Sequence, residues 1–323
     1  MILVWTKFSL LLILVYIFGS RITRSSDIIA EKKGWGRAFM GVIFISMVTS
    51  FPELFTGISA ASIVKSPEIS LGQIVGSCIF NITIIALIQI IFRKNSLFRH
   101  NSRSDLLPLI FSFMLILMFT SSLLISFRIR ILNVGISSIL IFAMYIIFLY
   151  QIFKNRKAEK AGTNYREENL KRAVISFSIS AIIIIAVGFY LPIVGKELAT
   201  KMGWTDSFVG VVFLAFVTSF PELIVSITAA RIGAFEMLLG NIAGSNLFNI
   251  GIVFLIDIFY FEGDIIADVS DKNIFYIGII AAGMNLILYL TLLRGKVIRT
   301  IFKIPLNAVL IIILYILSLG IIF

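Results

Sequence analysis

A chain of 323 residues that is 59% hydrophobic and 14% charged, with a mean hydropathy of +1.05, cannot hide its apolar surface inside a soluble core. The net charge of +11 reads as loop charge, because membrane proteins gather Lys and Arg in their cytoplasmic loops, and not as a nucleic-acid footprint. One cysteine, Cys78, excludes an internal disulfide framework, and one histidine, His100, excludes a His metal cluster.

Continuous uncharged runs of about 20 residues match a bilayer core of about 30 Å, and they lack the alternation of a membrane β-barrel. The expected fold is an all-α polytopic membrane protein. Ten transmembrane helices are expected, at 4–20, 38–62, 71–92, 106–127, 131–153, 173–194, 207–230, 237–260, 273–293 and 301–321. The first contains Lys7. It is read as a retained helix and not a signal peptide, because Gly19-Ser20 runs into Arg21 with no small-residue cleavage motif. Loops 21–37, 93–105, 154–172, 231–236 and 294–303 hold 21 of the 28 basic residues. The positive-inside rule places them in the cytoplasm and both termini outside, with the cell membrane as the expected location. The polar stretch 154–172 reads as a cytoplasmic linker between a first five-helix repeat, 1–153, and a second, 173–323.

The halves are related by duplication. GVIFISMVTSFPELFTGISAA at 41–61 recurs as GVVFLAFVTSFPELIVSITAA at 210–230, identical at 13 of 21 positions. LGQIVGSCIFNI at 71–82 recurs as LGNIAGSNLFNI at 239–250, identical at eight of 12. Shared helix propensity would repeat apolar residues, but not Thr-Ser-Phe-Pro-Glu in register. Five spans separate matching helices, an odd number, so the second copy is expected to cross the membrane in the opposite direction. Transporters built from inverted repeats bind ions near the midplane, where the repeats meet.

Each repeat carries a carboxylate deep in an apolar helix. Glu53 lies 16 residues after Arg37 and 12 before Lys65, which is about 24 Å and about 18 Å from those ends at about 1.5 Å per residue. Glu222 occupies the matching position. A mid-membrane carboxylate costs about 3 kcal/mol on insertion scales, so two at equivalent positions need an offsetting role. Pro52 and Pro221 precede them, and a proline frees the carbonyls one turn back, around Ser46–Val48 and Ala215–Val217. Free carbonyls in hydrocarbon need a partner, and a cation is one. Thr49, Ser50 and Glu53 share a helical face by spacing, as do Thr218, Ser219 and Glu222; Ser77 and Asn81 are i, i+4, as are Ser245 and Asn249. All supply oxygen, the donor that hard cations such as Na+ and Ca2+ take. Two Glu balance one Ca2+ or two Na+. The pairs Gly72/Gly76 and Gly240/Gly244 read as close helix contacts, and Gln73 and Asn241 as bridges between helices. Cys78 reads as packing, and Asp257 as a helix-end residue facing the membrane interface.

At these residues the chain resembles the cation/Ca2+ exchanger superfamily, whose two repeats carry a GTSxPE-like motif followed by a GSxxxN- or GSxxxD-like one. Here they read VTSFPE with GSCIFN, and VTSFPE with GSNLFN. The resemblance implies sodium/calcium antiport by alternating access. It implies that Thr49, Glu53, Thr218 and Glu222 surround Ca2+. Ser50, Ser77, Ser219 and Ser245 then complete flanking Na+ positions, with the carbonyls of Ser46 and Ala215 as backbone ligands and Asn81 and Asn249 as the central polar pair. The first and sixth helices are implied to slide past the rest. Val48 and Val217 stand where the family has glycine, and valine is the stiffer residue.

The expected function is therefore exchange of Na+ for Ca2+ at a midplane oxygen site, by a protein that is not an enzyme, needs no cofactor beyond the transported ions, binds no nucleic acid and works in the bilayer as a monomer. The nearest alternative is H+/Ca2+ or other divalent-cation antiport with the same glutamates carrying protons. An ion channel fits a carboxylate cage in an inverted repeat less well. An intramembrane hydrolase lacks a His or Lys base within the duplicated blocks 41–61, 71–82, 210–230 and 239–250, and lacks paired Asp there.

Overall fold

The structure is a computed structural model that describes residues 2–32, 45–92, 103–125, 129–155, 168–231, 235–295, 300–301 and 304–322. Arg37, His100, residues 38–44 of the second expected span and most of the 154–172 linker lie outside the described residues.

In chain order the helices are α1 (Ile2–Lys32), α2 (Ser46–Thr49), α3 (Phe51–Ser62), α4 (Pro67–Phe92), α5 (Arg103–Leu124), α6 (Ile136–Asn155) and α7 (Leu170–Met202). They continue with α8 (Asp206–Phe208), a π-helical segment Val209–Leu214, α9 (Ala215–Thr218), α10 (Phe220–Arg231), α11 (Phe235–Gly251), α12 (Val253–Ile258), α13 (Asn273–Leu293) and α14 (Leu306–Ile322). Among the described residues seven helices are long and apolar enough to cross a membrane, and eight if the bent pair Asp206–Thr218 and Phe220–Arg231 is one span. Two expected spans remain. The second is described only from residue 45 and breaks at Ser50, and the tenth, Leu306–Ile322, is apolar but 17 residues long. The chain also departs from all-α at two points. Arg130–Ile131 pairs antiparallel with Val134–Gly135, and Thr300–Ile301 with Ile304–Pro305, so spans expected to begin at 131 and 301 begin as short hairpins instead.

Burial sorts the helices into layers. Of the membrane-length windows, those of α4 and α11–α12 are 83% and 89% buried, whereas those of α1, α6 and α7 are 28% buried. Helices apolar all round belong inside, and α4 and α11 carry the second repeated block. α1 packs along α7, and this pair covers both broken helices: α1 touches α10, and α7 touches α3. Glycines permit the approach. A Cβ on Gly19 would stand 2.6 Å from Pro221 Cγ, and one on Gly188 would stand 2.7 Å from Phe55 Cβ. Gly76 is tighter still, because a Cβ there would run into the Val211 carbonyl oxygen. A Cβ there would meet Val211 Cα at 2.7 Å and Ala215 Cβ at 2.8 Å, so the first repeat's α4 lies directly on the π segment of the second repeat.

Polar side chains tie loops together at the two ends. At one end Lys7 pairs with Glu197, Lys65 with Glu262, and Asp206 with both Lys196 and Ser66, while the Ser270 backbone N–H donates to Glu68. At the other, Arg24 pairs with Glu168. Asp257 lies at the end of α12 as expected but does not face outward: it is fully buried and accepts from the backbone N–H groups of Gly135 and Ile265 at 2.8 and 3.1 Å, clamping the first hairpin to the end of α12. Gln89 accepts from Asn307 at 2.9 Å, joining α4 to α14.

Candidate functional site

Both glutamate-bearing helices are interrupted just before the glutamate. Ser50 has φ −90° and ψ 12°, and Ser219 has φ −85° and ψ 11°, which leaves the α-region for the bridge region. The prolines two residues on lack the N–H that would continue the ladder, and their rings crowd the carbonyl four residues back. The second pair of segments is bent by 46°. The shared face expected for Thr49, Ser50 and Glu53 is thus split at Ser50, which turns its hydroxyl away from its own helix and across the molecule.

What it reaches is the other repeat. Ser50 Oγ donates to Glu222 Oε1 at 2.9 Å, and Ser219 Oγ donates to Glu53 Oε1 at 3.1 Å. Each carboxylate also accepts from a serine on its own repeat's core helix: Ser77 to Glu53 Oε1 at 3.4 Å and Ser245 to Glu222 Oε1 at 3.2 Å. Glu53, Glu222 and all four serines are fully buried. In both glutamates the second oxygen, Oε2, is buried with no hydrogen-bond partner among the described residues. A buried, incompletely solvated carboxylate costs several kcal/mol unless a positive charge meets it. Two such oxygens from opposite repeats, ringed by hydroxyls whose protons are already committed, form a donor set for a hard cation.

In both halves the threonine reaches the carbonyl three residues back. Thr49 Oγ1 donates to Ser46 O at 3.2 Å, and Thr218 Oγ1 to Ala215 O at 3.4 Å. Those carbonyls are less free than the prolines suggest, since each also accepts a backbone N–H, from Ser50 at 3.0 Å and from Ser219 at 3.1 Å. The Thr49 proton is directed to its carbonyl, whereas the one proton of Thr218 is shared between Ala215 O and Gln73 Oε1, each at 3.4 Å; in both hydroxyls the lone pairs are left for a ligand. Gln73 and Asn241 brace the glutamates from behind: Gln73 Nε2 donates to Glu53 O at 2.9 Å, and Asn241 Nδ2 to Glu222 O at 3.5 Å.

The central amides do not pair with each other. Asn81 Nδ2 donates to Asn246 Oδ1 at 3.0 Å, whereas both amide atoms of Asn249 are buried without a partner among the described residues. Asn246 went unread in the sequence. The available signal was a mismatch inside the duplicated block, where Cys78 in the first copy stands against Asn246 in the second.

The chain matches the model of the sodium/calcium exchanger protein family over residues 3–154 and 172–323. It is 31% identical over 248 residues to an uncharacterized membrane protein of Methanocaldococcus jannaschii, covering 76% of this chain and 78% of that one. It is 24% identical over 310 residues to the sodium/calcium exchanger MaX1 of Methanosarcina acetivorans, covering 85% and 87%. Its fold is similar to that of the sodium-calcium exchanger NCX_Mj, in a structure soaked with 2.5 mM Na+ and 0.1 mM Ca2+, with a TM-score of 0.65 at 24% identity over 99% of this chain and 98% of that one.

Proposed function

The chain belongs to the sodium/calcium exchanger family, and on that premise we propose that it exchanges Na+ for Ca2+ across the cell membrane by alternating access to the site between Glu53 and Glu222. It is a membrane transporter and not an enzyme. The single observation that carries the proposal is the reciprocal brace: each glutamate is held through Oε1 by a serine of the other repeat and keeps a buried Oε2 without a partner among the described residues. A Ca2+ ion held by Thr49, Glu53, Thr218 and Glu222 has its charge balanced by the two carboxylates. Na+ ions use Ser50, Ser77, Ser219 and Ser245 with the Ser46 and Ala215 carbonyls, and Asn81 and Asn249 lie at the centre. Because the Na+ positions flank the Ca2+ position and draw on the same two glutamates, occupancy by one ion set excludes the other, and that competition is the basis of exchange.

In this reading the chain has ten spans in two five-helix repeats, 1–153 and 173–323, inverted about the membrane plane and joined by the cytoplasmic linker 154–172, with both termini outside. The Ser66–Asp206 bond supports the inversion, because the end of the first broken helix region meets the start of the second. The protein works as a monomer, and α1 with α7 moves against the core across the glycine contacts at Gly19 and Gly188.

Purified protein in liposomes tests this. An outward Na+ gradient is expected to drive 45Ca2+ uptake, and an imposed pH gradient alone is not. Uptake driven by the pH gradient with none driven by Na+ would replace Na+ with H+ as the coupling ion, a reading that the unpartnered Oε2 atoms also accommodate as protonation sites.

A further inference from the structure

We propose that Asn246, which supplies no ligand in the scheme above, is a positioning residue that fixes which end of the Asn81 amide faces the ion site. The inference rests on the exchanger reading for its ligand and on the following geometry for everything else. Asn246 lies on α11 and is fully buried. Its Nδ2 donates to the backbone carbonyl of Cys78 at 3.3 Å, and its Oδ1 accepts from Asn81 Nδ2 at 3.0 Å.

The two ends of an asparagine amide are nearly the same shape and differ in polarity, so an isolated buried amide can face either way. Here the orientation is forced. A backbone carbonyl has no proton, so it accepts only from the nitrogen of Asn246. The oxygen of Asn246 is then turned to Asn81, and it accepts only from the nitrogen of Asn81. Asn81 is left with Oδ1 pointing elsewhere, buried and without a partner among the described residues. The fixed polarity of one carbonyl on α4 is relayed through α11 and back to α4, and it ends as an oxygen one helical turn beyond Ser77, which holds Glu53.

The alternative orientation is harmful to a cation carrier. A flipped Asn81 would present its NH2 group, two donors carrying partial positive charge, toward the ion. Residues that orient a ligand from behind are typically worth about ten- to a hundredfold in metal affinity. The counterpart residue in the first repeat is Cys78, whose thiol cannot relay an amide's polarity. Consistent with that, neither end of the Asn249 amide is bonded among the described residues. One central amide is held with its oxygen outward and the other is not.

The test is a double-mutant cycle on the reconstituted full chain, read by Na+-driven 45Ca2+ uptake and by equilibrium 45Ca2+ binding to the detergent-purified protein. Asn246→Leu keeps the branched shape, with bulkier methyl ends, and removes the relay; Asn246→Ala repeats the test should the leucine variant fail to fold. The expected result is a rise of about tenfold or more in KM and Kd for Ca2+ with a maximal rate within about threefold of the unaltered protein. In an Asn81→Ala background the same substitution is expected to change Kd by less than about twofold, because the residue it acts through is gone. Equal losses in both backgrounds would show a packing role and overturn the proposal, as would an unchanged Kd for Asn246→Leu alone. Absence of Ca2+ binding by the unaltered protein is a separate outcome that removes the exchanger reading and this inference with it.

Discussion

The first-repeat half of the site and the second-repeat half are built from the same parts but finished differently. Each contributes a proline-broken helix, a buried glutamate and a core helix whose serine holds that glutamate. Behind the glutamates the halves diverge. In the first, Gln73 sits opposite Gly57 and is long enough to hold Glu53 O through Nε2 while its Oε1 accepts from Thr218 across the repeat boundary at 3.4 Å. In the second, the shorter Asn241 sits opposite Ser226, donates to it at 3.4 Å, and leaves its own Oδ1 without a partner among the described residues. The pairs Gly57–Gln73 and Ser226–Asn241 exchange bulk between two packed helices, but only the first makes a bond across the interface. The same asymmetry recurs at the centre, where Asn246 holds Asn81 and Cys78 does not hold Asn249. Duplication supplied the buried glutamates in symmetrical form, and later divergence acted on the groups around them.

If the charged parts are equivalent, neutralising either one should be equally damaging. Glu53→Gln and Glu222→Gln are each expected to reduce Na+-driven 45Ca2+ uptake at least about a hundredfold, since each removes half of the charge that balances Ca2+. Normal transport by one of them would break the equivalence and assign the work to a single repeat. The Gly76 contact is next in size. Gly76→Val places two methyl groups against the Val211 backbone, and overpacking of this kind costs about 1–3 kcal/mol. A clear fall in the thermal midpoint of the purified protein checks it, and an unchanged midpoint would mean that the π segment gives way freely.

Smaller changes sharpen the differences between the halves. Gln73→Asn gives the first half the second half's side chain without its serine, and should lose the bond to Thr218. Loss of one neutral buried bond, about 1 kcal/mol, corresponds to a rise of about fivefold in KM for Ca2+ in the same uptake assay. The reciprocal Asn241→Gln is expected not to lower KM, because Ser226 stands beside Asn241 where the first half has Gly57 and leaves the longer side chain no room to make a counterpart of the Gln73–Thr218 bond. The smallest expected effect lies far from the site. Lys7 and Glu197 are each about one-third exposed, and pairs of that kind contribute about 0–1 kcal/mol. Lys7→Met should therefore leave transport unchanged and shift the thermal midpoint by no more than a degree or two. A large transport defect would instead mark this tie between α1 and α7 as part of the moving machinery.

Much of the site was readable because its signals are local. Thr-Ser-Phe-Pro-Glu repeated in register identifies the broken helices, and i, i+4 spacing sets Ser77 and Ser245 where they can hold a glutamate. The helix interruption was half legible: Pro52 and Pro221 announced it, but the turn falls at Ser50 and Ser219, because the missing N–H is felt by the residues before the proline. The burial of Asp257 was not legible, for a related reason. A carboxylate near a helix end suggests solvent, and nothing nearby in the chain reveals that the backbone of Gly135, 122 residues away, folds over it.

Composition, charge distribution and the duplicated blocks by themselves determined that the chain lives in a membrane, that it is two related halves, and that two carboxylates with a set of hydroxyls form its polar interior. These follow from hydropathy and from spacings within a few helical turns, which the sequence displays directly. Only the tertiary structure decided which group holds which: that Ser50 serves Glu222 and Ser219 serves Glu53, across separations of 172 and 166 residues, and that Asn81 is oriented by Asn246 and not paired with Asn249. Hydrogen-bond partners are selected by how helices from opposite halves pack and rotate, and near-identical motifs leave several pairings chemically equivalent until that packing chooses among them.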